Sequence, residues 1–196
     1  NFKIKKGQKI SIIGETGSGK TTLIDLISGL IKPTKGKITV DGSIISNGDC
    51  INWWKKISYM PQNPFIFNDT IYNNISLFEE PSKEKFDLIE KFIEIVELKQ
   101  FLKLKKLDDI LISDGLDISG GEKQRIGIAR ALFADSDLLI FDESTSALDK
   151  NTEKNIIDNI LNFDKRKTII FVTHKNYPLL KSDKIFEIRN KNIFEK

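Results

Sequence analysis

Apolar residues fall along this chain in two patterns, short continuous runs and stripes at helical spacing. Residues 9–13, Lys-Ile-Ser-Ile-Ile, predict a short buried strand, and residues 22–30 predict the helix after it, with Leu23, Ile24, Ile27 and Leu30 apolar. Phe2, Ile4, Ile10, Ile12 and Ile13 suggest two short strands around a turn at Lys5-Lys6-Gly7. Pro33 and Gly36 break the chain. Residues 37–40 predict a brief strand ending in an Asp41-Gly42 turn, and residues 43–52 read as loop. Another strand is expected over 55–60, stopped by Pro61-Gln62. Residues 63–78 carry Phe65, Phe67, Tyr72 and Phe78 and read as an irregular segment followed by a short helix.

Phe86, Ile89, Phe92, Ile93 and Val96 recur at helical spacing behind a helix start at Ser82, and this stripe reads as core packing. Residues 99–117 are polar, with Asp108-Asp109, and suggest a short helix and loop. Gly120-Gly121 opens a helix through Arg130 to Phe133. Residues 138–141, Leu-Leu-Ile-Phe, form the continuous apolar run expected of a central parallel strand, and residues 168–172 form a second. Ile156, Ile157, Ile160 and Leu161 mark a helix face between them, and Ile185, Phe186 and Ile188 suggest a last strand.

Composition adds bounds. A chain of 196 residues suggests one domain, long enough to bury a real core. Net charge is +3 with 30% charged residues, a mixed balance that is no nucleic-acid footprint by itself, and no nucleic-acid partner is expected. The densest basic cluster, Lys99, Lys103, Lys105 and Lys106, reads as a solvated surface rather than a phosphate-backbone site. Cys50 is the one cysteine, which excludes an internal disulfide and a multi-cysteine zinc site and fits a reducing compartment. No apolar run approaches the roughly 20 residues of a membrane span, so any spanning falls to another segment.

Residues 14–21, Gly-Glu-Thr-Gly-Ser-Gly-Lys-Thr, fit the phosphate-binding loop G-x-x-x-x-G-K-[ST], between the predicted strand and helix that the motif needs. Glycines let the backbone turn tightly and aim N–H groups at phosphate oxygens, and the helix start adds partial positive charge. Lys20 is placed to reach the β- and γ-phosphates, and Thr21 to offer its hydroxyl to Mg²⁺. Asp142 and Glu143 close the apolar run at 138–141, where a P-loop fold holds its metal; Asp142 suits the metal and Glu143 a general base acting on water. Ser119-Gly120-Gly121 at a helix start makes a second anion-binding surface. One loop already holds one nucleotide, so the second surface suggests a neighbouring molecule's nucleotide.

These motifs, in this order, resemble the ATP-binding-cassette (ABC) family, and the resemblance covers essentially the whole chain. Gly14, Glu15, Thr16, Gly17, Ser18, Gly19, Lys20 and Thr21, with Thr22 following, match the Walker A loop. Gln62 matches the Q-loop glutamine, and Ser119, Gly120, Gly121 and Glu122 match the signature, with Ile118 and Glu122 where Leu and Gln are usual. Asp142 falls at the end of Walker B, Glu143 in the catalytic glutamate's place, Asp149 in the D-loop and His174, the only histidine, in the switch position. The resemblance implies ATP and Mg²⁺ as cofactors and an α/β fold, with a mainly parallel P-loop core, a small antiparallel β part near the N-terminus and a helical subdomain over about 79–130. It implies two such domains, identical or not, paired head to tail with ATP between the Walker A loop of one and Ser119 and Gly121 of the other. Thr21, Gln62 and Asp142 would arrange Mg²⁺, Glu143 would activate water, and His174 would stabilise the γ-phosphate.

Residues 61–67, then Thr70-Ile71 and Asn74-Ile75, look like the exporter branch, in which this segment lies under the coupling helices of transmembrane domains. Its aromatics then read as a docking surface, with ordinary packing as the alternative. That branch implies work at the cytoplasmic face of a membrane, here a bacterial inner membrane, with transmembrane domains expected in the same polypeptide. Exporters usually carry Glu where this chain has Ser113, before Asp114-Gly115. The family's adenine-stacking aromatic normally lies farther upstream than Asn1, so the chain reads as an N-terminally truncated piece. The alternative is a soluble ABC ATPase of DNA repair or translation.

Overall fold

A computed structural model of the chain describes residues 2–45, 50–102, 105–112 and 118–196. The expectations for Lys103, Ser113, Asp114 and Gly115 lie outside these, as does the middle of the loop expected at 43–52. The chain divides into two compact units, Asn1–Ser58 with Ser136–Ile140 and Arg166–Lys196, and Tyr59–Asp135 with Phe141–Lys165.

The first unit is built on a mostly parallel six-stranded sheet. Its strands are β1 (Lys9–Gly14), β4 (Ile57–Met60), β5 (Leu138–Asp142), β6 (Thr168–Val172), β7 (Lys184–Arg189) and β8 (Asn192–Glu195), in the order β4-β5-β6-β1-β7-β8. The last residues of β4 and β5 run on into the second unit. β1 pairs in parallel with β6 on one side, Ile12 opposite Val172, and with β7 on the other, Ile12 opposite Phe186. Ile10, Ile12, Ile140, Ile170, Val172, Phe186 and Ile188 supply the core from the strands. Leu23 and Ile24 supply it from α1 (Lys20–Ile27). Burial on both faces explains why β5 and β6 are continuous apolar runs.

Here the helix predicted over 22–30 ends early. Gly29 takes φ 70°, which stops α1, and Leu30 is left 61% exposed. The indole N–H groups of Trp53 and Trp54 donate to the carbonyls of Ile27 and Ser28 at 2.8 and 2.9 Å, satisfying acceptors that a helix end leaves open. Both tryptophans lie on α2 (Cys50–Trp54), whose first three residues fall in the stretch expected to be loop. Ser43–Ile44 is likewise strand β3, paired antiparallel with β2 (Thr39–Val40) across Asp41 and Gly42 at φ 50° and 83°. Such a turn has positive φ at both central positions; β2 ends at Val40, where the turn signal suggested, and the two-residue hairpin brings Ser43–Ile44 back beside it. Phe2 and Ile4 form no strand; Phe2 instead packs on Phe186, ring centroids 5.2 Å apart. The hairpin partner of the last predicted strand, β8, and the short helix α8 (Asn176–Lys181) were not legible, being mostly polar or exposed.

The second unit is helical. Its elements are α3 (Ile71–Ser76), α4 (Lys83–Ile95), α5 (Lys99–Leu102), α6 (Gly120–Phe133) and α7 (Lys150–Phe163). Ser82 caps α4, its hydroxyl accepting the Lys85 N–H at 3.3 Å, and Ile89, Phe92 and Ile93 are buried as their spacing predicts. Phe92 meets Phe163 of α7 edge to face at 5.3 Å. α6 packs closely against the segment before it in sequence because of Gly127. A Cβ there would stand 2.8 Å from Pro64 Cβ and 2.9 Å from Met60 Sδ. Gly127→Val is expected to destabilise the protein by about 2 kcal/mol through overpacking, more than the better helix former returns. A denaturant titration with the midpoint unchanged would contradict that close approach.

Candidate active site

The first unit holds the predicted phosphate loop between β1 and α1. Two glycines are needed there for separate reasons. At Gly14 a Cβ would lie 2.6 Å from Ser18 Oγ and 2.7 Å from the Ile188 carbonyl, so the loop can close only without a side chain. At Gly19, which caps α1 at φ 107°, space is open and the backbone itself excludes other residues. A turn from Ser18 N–H to Glu15 O, 3.1 Å, folds the loop back on itself. Glu15, Thr16 and Gly17 are exposed, as are Thr21 and Thr22 just inside the helix. Lys20 does not point away; its ammonium donates to Gly14 O at 2.7 Å and Glu15 O at 3.0 Å. Ser18 Oγ is buried with no hydrogen-bond partner. A cation and an orphaned hydroxyl in one glycine-shaped loop fit an anionic oxygen ligand such as phosphate.

His174 stands at the same end of the sheet as this loop. β6 runs parallel to β1, Thr173 N–H donates to Ile12 O at 3.2 Å, and His174 follows, exposed.

The second unit presents the carboxylates. Asp142 ends β5, and its Oδ2 accepts from the Tyr59 hydroxyl at 3.0 Å. Glu143 follows in a left-handed conformation, φ 47°, which costs a non-glycine residue about 1–2 kcal/mol. Strain of this kind persists where the surroundings hold it, and here they do. Ser146 N–H closes a turn onto Glu143 O at 3.0 Å, and Gln62 Nε2 donates to Glu143 Oε2 at 2.9 Å. Gln62 and Glu143 were assigned separately from sequence, and the fold brings them into direct contact. Tyr59 was missed. Its signal was the alternation in β4, where Ser58 and Met60 are buried and Tyr59 is on the other face. No group of three or more His, Cys, Asp or Glu able to hold a metal occurs among the described residues. The Thr21 hydroxyl and the Asp142 carboxylate are hard oxygen donors. Each by itself is the kind of group that Mg²⁺ takes, since that ion is commonly held by one or two protein oxygens with water and phosphate completing its shell.

The remaining candidates sit at helix starts. Ser119 and Glu122 form a capping box on α6. Glu122 Oε2 accepts from both the Ser119 N–H and its hydroxyl at 2.7 Å, and Ser119 Oγ accepts the Glu122 N–H at 3.3 Å. The carboxylate at 122 thus occupies both the Ser119 N–H and the Ser119 hydroxyl. Gly120 and Gly121 lie next to the turn after Glu143. Their Cβ positions would come 3.6 Å from Ala147 Cβ and 3.4 Å from Ala147 O. Asp149 caps α7, accepting from Asn151 N–H at 3.0 Å and Thr152 N–H at 3.1 Å. The Thr152 side chain, then the backbone N–H groups, hold its carboxyl below the usual range.

The aromatic segment is organised by Asn74, wholly buried in α3. Its side chain accepts from Phe67 N–H at 2.8 Å and donates to the carbonyls of Phe67 and Thr70. Arg130 of α6 donates to Asn74 O at 2.7 Å and lies over the Phe67 ring. Phe65 is 67% exposed and Phe78 half exposed. Tyr72 is 3% exposed and packs on Phe86, so it belongs to the core and not to that surface.

Comparison with known proteins shows the family. The family model described as ABC transporter matches residues 1–146. The chain is 36% identical over 197 residues to the transport/processing ATP-binding protein ComA of Streptococcus pneumoniae, covering 100% of this chain and 27% of that protein. It is 34% identical over 198 residues to the ATP-dependent lipid A-core flippase of Vibrio parahaemolyticus, covering 100% of this chain and 34% of the flippase. Among solved structures, a bacterial Atm1-family ABC exporter with ATP bound superposes with a TM-score of 0.87 at 30% identity, over 97% of this chain and 33% of that one. The chain thus spans about a quarter to a third of the length of these relatives. With its mostly parallel P-loop sheet, its small antiparallel hairpin and this match over three quarters of its length, the chain belongs to the ABC transporter family.

Proposed function

We propose that this chain is the ATP-hydrolysing domain of an ABC exporter, working in pairs at the cytoplasmic face of a bacterial inner membrane and attached to transmembrane domains. The names of the relatives, a transport/processing protein, a lipid flippase and an exporter, support export over the soluble DNA-repair or translation alternative. Among the described residues no helix is long and apolar enough to cross a membrane. The exposed aromatics Phe65 and Phe78 suit docking to transmembrane domains.

The observation that carries the hydrolytic reading is the Gln62–Glu143 hydrogen bond on a strained, fixed turn. In the proposed reaction Lys20 and the loop from Gly14 to Thr22 bind the ATP phosphates. Thr21, Gln62 and Asp142 would hold Mg²⁺, which would supply charge neutralisation. Glu143 takes a proton from water as its oxygen attacks the γ-phosphorus, the bond to the ADP oxygen breaks, and His174 donates a hydrogen bond to the departing phosphoryl oxygens. Such chemistry rests on positioning and electrostatics more than on covalent catalysis. Ser119, Gly120, Gly121, Glu122 and Asp149 serve the nucleotide of the paired domain. Hydrolysis per molecule should therefore rise with protein concentration and then level off. A rate per molecule that stays flat through the whole range would sink the paired-site reading.

Glu122 gives that reading a sharper test. Its carboxylate holds the Ser119 N–H and hydroxyl, and on this reading its charge opposes the approach of the partner's phosphate. Glu122→Gln keeps a capping-box residue but removes the charge. The variant should lower the KM for ATP by about two- to fivefold, the scale of one charge at a helix terminus. An unchanged or raised KM would place the nucleotide away from α6.

A further inference from the structure

Gln124 lies one turn into α6 and is 3% exposed, yet its amide makes contacts that a core residue does not need. Its Nε2 donates to the Gln62 carbonyl at 3.1 Å and to Ser146 Oγ at 2.8 Å, and its Oε1 accepts the Ala147 N–H at 2.9 Å. The orientation of the amide is fixed by these partners, because the Gln62 carbonyl can only accept and the Ala147 N–H can only donate. Gly120 and Gly127 flank it at i−4 and i+3 on the same face of the helix. Gly120 leaves room for Ala147, and Gly127 lets α6 approach Met60 and Pro64. Both segments that hold Glu143 therefore meet at one side chain. Gln62 binds the Glu143 carboxylate through its own side chain and is held through its backbone by Gln124. Ser146 closes the turn onto the Glu143 carbonyl and is held through its hydroxyl by Gln124.

We propose that Gln124 is a positioning residue for hydrolysis: it locks Glu143 from both sides and makes the geometry of Glu143 depend on the placement of α6, the helix that begins at Ser119. The inference rests on the reading of Glu143 as the general base. A ligand that draws on the α6 N-terminus then acts on Glu143 of the same chain through a single buried amide. Buried amides that satisfy several partners are costly to replace and specify one arrangement.

The test is steady-state ATP hydrolysis by the full-length protein carrying Gln124→Met, Ser146→Ala, both, or Glu143→Gln. Methionine keeps the length and volume of glutamine without its hydrogen bonds. Gln124→Met should lower kcat at least tenfold and leave the KM for ATP within twofold, since the phosphate loop is untouched. Ser146→Ala, at an exposed residue whose loss spares the core, should lower kcat two- to threefold and add nothing once Gln124 is replaced, because both act through one network. Three outcomes overturn the inference alone: a Gln124→Met kcat within twofold of the unmutated protein beside a dead Glu143→Gln, a KM that rises as kcat falls, or single losses that multiply in the double variant. Full turnover by Glu143→Gln would overturn the hydrolytic reading and this inference with it.

Discussion

Glu143→Gln is expected to bind ATP at close to normal affinity and to hydrolyse it about two to four orders of magnitude more slowly, the usual contribution of a positioned general base. The substitution exchanges one carboxylate oxygen for an amide and barely alters shape. Gln62 Nε2 now donates to Glu143 Oε2 at 2.9 Å; in the variant the amide oxygen can accept the same bond, so the left-handed turn at φ 47° keeps its support. What disappears is the ability to accept a proton from water. Phosphate release by the purified protein, with nucleotide binding measured in parallel, reads both quantities. With hydrolysis removed and binding retained, the paired state should also accumulate in the presence of ATP and appear as a doubling of mass in size-exclusion chromatography. Turnover that survives the substitution would remove Glu143 from the chemistry.

Lys20→Ala is expected to weaken ATP binding by about tenfold to a hundredfold, the 1.5–3 kcal/mol of hydrogen bonds to a charged group. Hydrolysis should fall further than binding, because charge on the transferring phosphoryl group is greatest in the transition state. The ammonium is at present held by Gly14 O and Glu15 O at 2.7 and 3.0 Å. It is therefore stationed inside the loop rather than extended into solvent, and a phosphate arriving there meets a placed cation. Lys20→Arg distinguishes charge from shape. It keeps the positive charge but replaces a compact ammonium with a broad planar fork that cannot place its charge at the same point, so it should restore part of the binding and little of the rate. Equilibrium titration with ATP and a phosphate-release assay check both statements, and unchanged affinity in Lys20→Ala would move the nucleotide away from this loop.

The candidate site divides into residues that local pattern exposed and residues that it hid. The loop from Gly14 to Thr21 was legible because its requirements are local. Gly19 must adopt φ 107°, and the strand and helix around it are short-range elements with strong apolar signals. Asp142 and Glu143 were legible because a buried strand that ends in two carboxylates stands out. Tyr59 and Gln124 were not. Each is polar within an element defined by its apolar residues, and each acquires its role only from a partner far along the chain, Tyr59 from Asp142 and Gln124 from Gln62, Ser146 and Ala147. The same limit explains Tyr72, grouped from sequence with the exposed aromatics. Burial beside Phe86 is a property of how α3 and α4 pack, which spacing cannot report.

Sequence alone therefore determined the elements whose cause is local: the phosphate loop, the apolar runs of β5 and β6, the caps at Ser82 and Ser119, and the family to which these motifs in this order point. Tertiary structure decided what depends on distant segments meeting. It set the order in which strands pair, with β1 between β6 and β7, and joined Gln62 to Glu143. It gathered two loops onto Gln124. The physical reason is range. Backbone conformation and helix caps are fixed by residues a few positions apart, whereas a hydrogen bond across 62 or 22 positions exists only once the core has placed both of its ends.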